Sequence, residues 1–176
     1  MSYDLKLFRV AKGEGAELTY RQLIEQEESE TAHLDDYLKR SVSNEARGEM
    51  RRLADALKSW RPNFQEFEPK FPLPWIELNE EDLLVQIQVY ETGAGISVPY
   101  FGERGRELME CVVGCMRVLG TSAGLVAYDP QLGRIVGPSD LDAMVVQYGK
   151  VNEVFPGGLA QDESGVAGRG PWWKFW

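Results

Sequence analysis

The most constraining feature of the sequence is a stretch of alternating polar and apolar residues that ends in a glycine-rich segment. Residues 84–90 read LVQIQVY, and this alternation is typical of a β-strand with one buried face. Gly93-Ala94-Gly95 predicts a turn into a second strand over residues 96–100. Because a short turn joins antiparallel strands, this hairpin favours an antiparallel sheet over a doubly wound parallel one.

A second β-turn-β unit is predicted near residue 130. Residues 125–128 and 134–136 have strand character, and Asp129-Pro130-Gln131-Leu132-Gly133 between them has turn composition. Asp and Pro suit the start of a turn and Gly suits its left-handed position. Further strands are predicted over residues 3–10 and 75–78.

Helices are predicted where apolar residues recur every three to four positions. Thr19 and Gln22 have capping-box spacing, which predicts a helix beginning at Thr19. The apolar stripe from Leu34 to Trp60 indicates one amphipathic helix or two in series, with a break at residues 41–44. Two more helices are predicted, over residues 107–119 and after Pro138.

Together these elements predict an α+β fold. A mainly antiparallel sheet of about five to six strands packs against helices. We expect a single α+β domain over residues 1–155, followed by a flexible C-terminal tail over residues 156–176, which begins Gly-rich and weakly hydrophobic.

The charge balance argues against two classes of partner. The chain has 19 Lys+Arg against 28 Asp+Glu, a formal net charge of −9. Nucleic acids and anionic membranes attract cationic surfaces, so neither is expected as a partner. The start of the sequence lacks a basic segment followed by an apolar one, and its apolar runs fall short of the roughly 18 residues of a spanning helix. We therefore expect a cytoplasmic protein.

Acidic residues concentrate in residues 14–36, and basic residues concentrate in residues 39–61. One interpretation is two helices whose outer faces attract each other. The other is an acidic face that steers a cationic partner. The second interpretation assigns four glutamates to a partner-binding surface: Glu25, Glu27, Glu28 and Glu30.

Residues that build catalytic or metal sites are sparse. The chain has one histidine, His33, and two cysteines, Cys111 and Cys115. A zinc site needs about four ligands, and neither a second cysteine pair nor a nearby histidine completes one. The cysteines share an apolar helical stripe, so we interpret them as core residues, and His33 as a surface or helix-end residue. We predict no catalytic residue, no metal site and no cofactor.

The sequence also contains an acidic cluster and three glycine clusters. The carboxylates of Glu77, Glu80, Glu81 and Asp82 are of the type that binds Mg²⁺ or Ca²⁺, but the calcium-loop pattern is absent. A solvated turn is the simpler interpretation. The glycine clusters match no phosphate-binding fingerprint. A carboxylate-dependent or divalent-metal-dependent enzyme remains an alternative function.

The segment Pro171-Trp172-Trp173-Lys174-Phe175-Trp176 concentrates large aromatic side chains. Leaving them in water is unfavourable, and Trp is a favoured anchor in protein interfaces. Docking on the same chain, on a second copy and on another protein all remain open. We assign four of these residues to partner binding: Trp172, Trp173, Phe175 and Trp176.

Several short motifs resemble a known group of proteins. They are MSYDL at residues 1–5, IELN at 76–79, SVPY at 97–100 and YDPQLGR at 128–134, together with the WWKFW ending. This combination is similar to a group of small, mostly uncharacterised bacterial proteins, some of which look like immunity proteins of contact-dependent or secreted toxin systems. The resemblance implies a non-enzymatic protein-binding module that inhibits a toxin, with a cationic toxin domain as its partner. It brings no catalytic residue. A self-associating assembly subunit is a further alternative.

Overall fold

The computed structural model describes residues 2–10, 12–31, 42–68, 73–99 and 104–154. Of these, residues 26–31 and 151–154 are described by their helical backbone alone. The strands are β1 (Ser2–Phe8), β2 (Phe64–Glu66), β3 (Ile76–Glu80), β4 (Val85–Val89), β5 (Gly93–Pro99), β6 (Val126–Asp129) and β7 (Arg134–Val136). The helices are α1 (Ala16–Thr31), α2 (Asn44–Trp60), α3 (Gly105–Ala123) and α4 (Leu141–Val154), with a 3₁₀ turn at Pro138–Asp140 before α4.

The described strands form one antiparallel sheet in the order β2-β3-β4-β5-β1-β6-β7. This confirms the predicted α+β fold, although the sheet has seven strands rather than five to six. The strand that the sequence did not indicate is β2, whose three residues are too few to show an alternation. It pairs Phe64 with Glu80 and buries the Phe64 side chain.

One face of the sheet forms the core with α2, α3 and α4. Every second residue of each central strand points to this face, as the period of a β-strand requires. Strands and helices contribute to one continuous cluster, which includes Leu5, Ile87, Ile96, Leu57 and Val112. The predicted apolar stripe of α3 is therefore confirmed as core-facing, and so is that of α2 at Met50, Leu53 and Leu57, whereas Trp60 at its end is exposed. The part of the α2 stripe before residue 42 lies outside the described residues.

The helix boundaries follow local hydrogen bonds. Ser43 caps α2, because its Oγ accepts a hydrogen bond from the Ala46 amide at 3.1 Å, so a helix begins within the predicted break at residues 41–44. The chain before this break lies outside the described residues. The predicted start of α1 at Thr19 is wrong, since the helix begins at Ala16. The Thr19 hydroxyl donates back to the Gly15 carbonyl at 3.3 Å, so it bonds within the first turn rather than capping it.

The predicted Gly93-Ala94-Gly95 turn is also wrong. The chain reverses at Glu91 and Thr92, where the Tyr90 amide donates to the Gly93 carbonyl at 2.8 Å, and both glycines lie inside β5. A Cβ atom at Gly93 would lie 2.0 Å from the Leu7 carbonyl oxygen of the neighbouring strand. Glycine is therefore required at residue 93 by the close approach of β1 rather than by a turn.

The turn predicted at residues 129–133 is confirmed. Asp129 is fully buried, and its Oδ1 accepts hydrogen bonds from the amides of Gln131 at 2.8 Å and Leu132 at 3.0 Å. Its other oxygen accepts a hydrogen bond from the Tyr3 hydroxyl of β1. Gly133 has a φ of 67°, the left-handed position expected for this glycine. The YDPQLGR motif thus fixes the β6–β7 hairpin to the centre of the sheet.

Candidate functional site

The second face of the sheet carries two rows of mostly polar residues that cross four strands. The register places Asn79, Gln86, Ser97 and Asp4 in one row, and Glu77, Gln88, Gly95 and Lys6 in the next. These residues alternate with the core-facing ones, so they point away from α2 and α3. This face of the sheet therefore presents hydrogen-bonding side chains to a molecule that packs against it.

A cleft of about 480 Å³ lies over these rows. Asp4, Lys6, Gln86, Gln88 and Ser97 contribute to its floor. From Gln88 on β4 to Lys6 on β1 the floor crosses two inter-strand spacings, roughly 10 Å. The floor therefore spans three neighbouring strands, β4, β5 and β1.

Helix α1 supplies one wall of the cleft. Tyr20 stacks on Tyr128 of β6 with ring centroids 3.6 Å apart and contacts the ring of Phe8 at 5.9 Å. Leu23, one turn further along α1, lines the same side. Tyr20 thus fastens α1 to the sheet beside the polar rows, rather than over them.

The opposite wall is aromatic as well. It is built from Trp75 and Tyr90, whose rings meet edge to face at 6.3 Å, together with Pro74. Gly95 lets the Tyr90 ring lie low, since a Cβ atom there would be 3.4 Å from the Tyr90 hydroxyl. That hydroxyl donates a hydrogen bond to Gln88 Oε1 at 2.5 Å, which fixes the ring against the floor.

The side chains of the two rows differ in how many of their polar atoms form hydrogen bonds. Asp4 accepts hydrogen bonds from the hydroxyls of Ser97 at 2.6 Å and Ser2 at 2.9 Å. Beside the cleft, buried Asn79 donates to Glu77 at 3.0 Å, while its own Oδ1 has no hydrogen-bond partner. Within the described part of the chain, the Gln86 side chain makes no hydrogen bond. Free amide and carbonyl groups between aromatic walls are suited to orienting a bound molecule.

The proposed acidic surface lies along α1, next to the cleft. Glu25 is exposed, as are Glu14 and Glu17, and none of the three takes part in an ion pair among the described residues. Glu27, Glu28 and Glu30 belong to the same helix, and their side chains lie outside the described part. The structure therefore places all four predicted glutamates on one helix. Of the four, Glu25 has a described side chain, and it forms no ion pair with another described residue.

The basic residues of α2 pair elsewhere. Arg51 forms an ion pair with Glu66 of β2, and Arg52 lies 3.5 Å from Glu49 on its own helix. Where both side chains are described, ion pairs do not join α1 to α2. The described side chains therefore give no support to the interpretation that the outer faces of the two helices attract each other.

The acidic cluster at residues 77–82 is dispersed by the fold. Glu80 is fully buried on the core side and pairs with Arg61 at 2.7 Å, whereas Glu77 lies on the second face of the same strand. Exposed Asp82 pairs with Arg104 at 2.9 Å. The interpretation as a solvated turn is wrong for Glu77 and Glu80, because β3 continues to Glu80. Across the described ranges, no three His, Cys, Asp or Glu side chains are placed to hold a metal ion.

The two cysteines are confirmed as core residues of α3. Both are buried and neither forms a disulfide. Burial raises the pKa of the Cys115 thiol well above its ordinary value, whereas a hydrogen bond from Cys115 lowers the pKa of Cys111. Cys115 thus stays a protonated thiol inside the core.

Two further predictions fall outside the described residues. They concern His33 and the aromatic residues Trp172, Trp173, Phe175 and Trp176. None of the helices that the structure describes combines the length and apolar character needed to cross a bilayer.

The cleft was not predicted, although the sequence holds a signal for it. The outward positions of β4 are Gln86 and Gln88, two uncharged amides, where a solvated strand more often carries charge. The paired strand places Gly95 and Ser97 beside them. Small and amide side chains on the polar face of a hairpin, next to Trp75 and Tyr90, indicate a binding face.

Comparisons with protein-family models, with curated proteins and with solved structures find no match to this chain. The resemblance to immunity proteins therefore stays a prediction that depends on its short motifs. The geometry of the cleft and the charges of α1 carry the functional argument.

Proposed function

We propose that this chain is a non-enzymatic, cytoplasmic protein-binding module that inhibits a bacterial toxin by covering a cationic toxin domain. The observation that carries the proposal is a set of exposed carboxylates on and just before α1, the helix that supplies one wall of the cleft. Glu14, Glu17 and Glu25 have no ion-pair partner among the described residues and are free to act on an approaching protein.

In such an interface, charge mainly affects the association rate, whereas the side chains buried at the centre determine the affinity. Unpaired surface carboxylates raise the rate of encounter with a cationic partner, and this effect weakens as salt is added. Affinity comes from a few side chains buried at the centre. The cleft offers aromatic walls at Tyr20, Trp75 and Tyr90, which are suited to an arginine or aromatic side chain of the partner.

The first experiment identifies the partner and then measures its association rate. The full chain is used to capture proteins from the native bacterium, and a single basic protein eluted by salt is purified as the probe. Reversing Glu25, Glu27 and Glu28 to lysine is expected to slow association with this probe by about tenfold at low salt and to flatten its salt dependence.

A control with the same change in net charge is available on other helices. Glu45, Asp55 and Glu110 are exposed and form no ion pair with the described residues, so the triple change to lysine alters charge away from α1. We expect a smaller effect of this control on the association rate. Equal slowing by both triple variants would remove α1 from the interface. Capture of no basic protein from cells that are shown to express a toxin gene next to the gene of this chain would overturn the proposal.

A further inference from the structure

We propose that the sheet cleft is the docking site of residues 171–176 of the same chain, here called the aromatic segment. The inference does not depend on the toxin or on any other partner. It rests on the chemistry of the cleft, on the composition of the segment and on the length of chain that connects them.

The walls of the cleft suit aromatic side chains. Tyr20 lines the cleft on one side, and Trp75 with Tyr90 lines it on the other. Aromatic rings pack favourably against each other edge to face or offset, as Trp75 and Tyr90 already do. The segment Pro-Trp-Trp-Lys-Phe-Trp brings large aromatic side chains whose exposure to water is unfavourable.

The polar groups of the cleft suit a peptide that carries one positive charge. The Gln86 side chain has no hydrogen-bond partner among the described residues, and its amide can bond peptide N–H and C=O groups or an indole N–H. The charged side chains that line the cleft are Asp4, Lys6 and Glu91, so its lining carries one net negative charge, opposite in sign to the ammonium group of Lys174. The volume of about 480 Å³ lies within the ~300–1,000 Å³ range of ligand sites, so the cleft accommodates some of the aromatic side chains of the segment rather than all six residues.

The connecting chain is long enough. Helix α4 ends at Val154, and residues 155–170 span at most about 50 Å when fully extended. A compact domain of this size has a radius of gyration of about 15 Å, so the segment reaches any part of its surface. Tethering gives the segment an effective concentration of about millimolar, so that even a weak contact is largely formed. A docked segment would compete with any partner for the same cleft.

The experiment uses ¹⁹F NMR of the full chain with fluorotryptophan at its five tryptophans. Changing Trp172, Trp173 and Trp176 singly to phenylalanine assigns their resonances. The reference is a synthetic fluorotryptophan peptide of residues 169–176. Docking predicts that at least one segment resonance of the full chain differs from its position in the free peptide.

Cleft variants locate the docking site. Gln86→Arg places a long charged side chain on the floor, and Ser97→Arg does so one strand away. Each is expected to move the segment resonances towards their free-peptide positions. The matched control is Gln65→Arg on β2, which stands in the same cross-sheet row but does not line the cleft. The Trp60 resonance reports the fold, because this ring packs on Gly114 of α3.

Three results would overturn the inference. The first is segment resonances that coincide with those of the free peptide in the unmodified chain. The second is shifted resonances that neither cleft variant moves while the Trp60 resonance is retained, which would place the segment elsewhere. The third is a shift that disappears on dilution, which would show docking into a second copy.

Discussion

At the scale of single residues, the pairing of Arg61 with Glu80 holds a buried carboxylate beside a guanidinium group. The Glu80 side chain is fully buried, and it accepts hydrogen bonds from Arg61 at 2.7 Å and from the Leu83 amide at 2.5 Å. Burial lowers the pKa of Arg61, but the hydrogen bond to Glu80 raises it, and the net direction is upward. The buried carboxylate therefore depends on one arginine for its counter-charge.

Replacing Arg61 by methionine is expected to reduce the free energy of unfolding by about 3–5 kcal/mol, because Glu80 is then left charged and unpaired in the core. The matched control is Arg51→Met, which breaks the exposed Arg51–Glu66 pair and is expected to cost about 1 kcal/mol or less. Urea unfolding of both variants measures the difference. Equal losses in the two variants would contradict a special role of burial at Glu80.

The burial of a residue could be predicted from the sequence where it depends on neighbours along the same helix. Cys111 and Cys115 lie four residues apart on an apolar stripe, which sufficed to place them in the core. The prediction fails for Glu77 and Glu80, which lie on opposite faces of one strand. Their burial depends on what packs on each face of the sheet, and that information lies in distant parts of the chain.

At the scale of elements, Asp140 connects the last strand to the last helix. Its carboxylate accepts hydrogen bonds from Arg134 of β7 at 2.7 Å and from the Gly137 amide at 2.8 Å, just before α4 begins. The bond to Arg134, followed by the bond to Gly137, lowers the pKa of Asp140. The folded protein thus favours the ionised form of this carboxylate.

A lowered pKa gives a stability contribution that depends on pH with a definite sign. The contribution is present above about pH 4, the ordinary pKa of aspartate, and it is lost as the pH falls through the lowered value in the folded state. Asp140→Asn is therefore expected to be less stable than the unmodified protein at pH 6, with a difference that shrinks towards pH 2. Urea midpoints across this range measure the effect, with Asp55→Asn as the amide control at an exposed aspartate. A difference that stays constant with pH would contradict the assignment.

Element type was predictable wherever a pattern ran over five or more residues, as in β1, β4 and α3. Element boundaries were not, because local bonds shift them. The glycines at 93 and 95 suggested a turn, yet the close approach of Leu7 and the Tyr90 ring explains them inside a strand. Composition alone does not separate these two uses of glycine.

At the scale of the whole molecule, the cleft is a product of topology. Its floor joins β1 to β4 through β5, so that residues near position 4 meet residues near 86 and 97. No pattern of neighbouring residues in the sequence indicates that these three segments lie side by side. The sequence could predict that one face of the sheet is polar, but only the strand order β4-β5-β1 and the position of α1 determine which part of that face stays open.

The helices that the structure describes differ in how many side chains they bury, and this difference predicts a gradient of local stability. Helix α3 buries nine residues in the core, whereas on α1 only Thr19 is buried among the side chains that the structure describes. Opening α1 therefore exposes little apolar surface, while opening α3 requires disruption of the core.

We expect amide hydrogen exchange in α1 to be faster than in α3 by several orders of magnitude, with α2, which buries four residues, protected more than α1. Hydrogen exchange followed by mass spectrometry on peptides from the three helices measures this order. Equal protection of α1 and α3 would show that α1 opens only with global unfolding. The cleft wall at Tyr20 would then be as rigid as the core, whereas fast exchange in α1 would mark it as the wall that adjusts to a ligand.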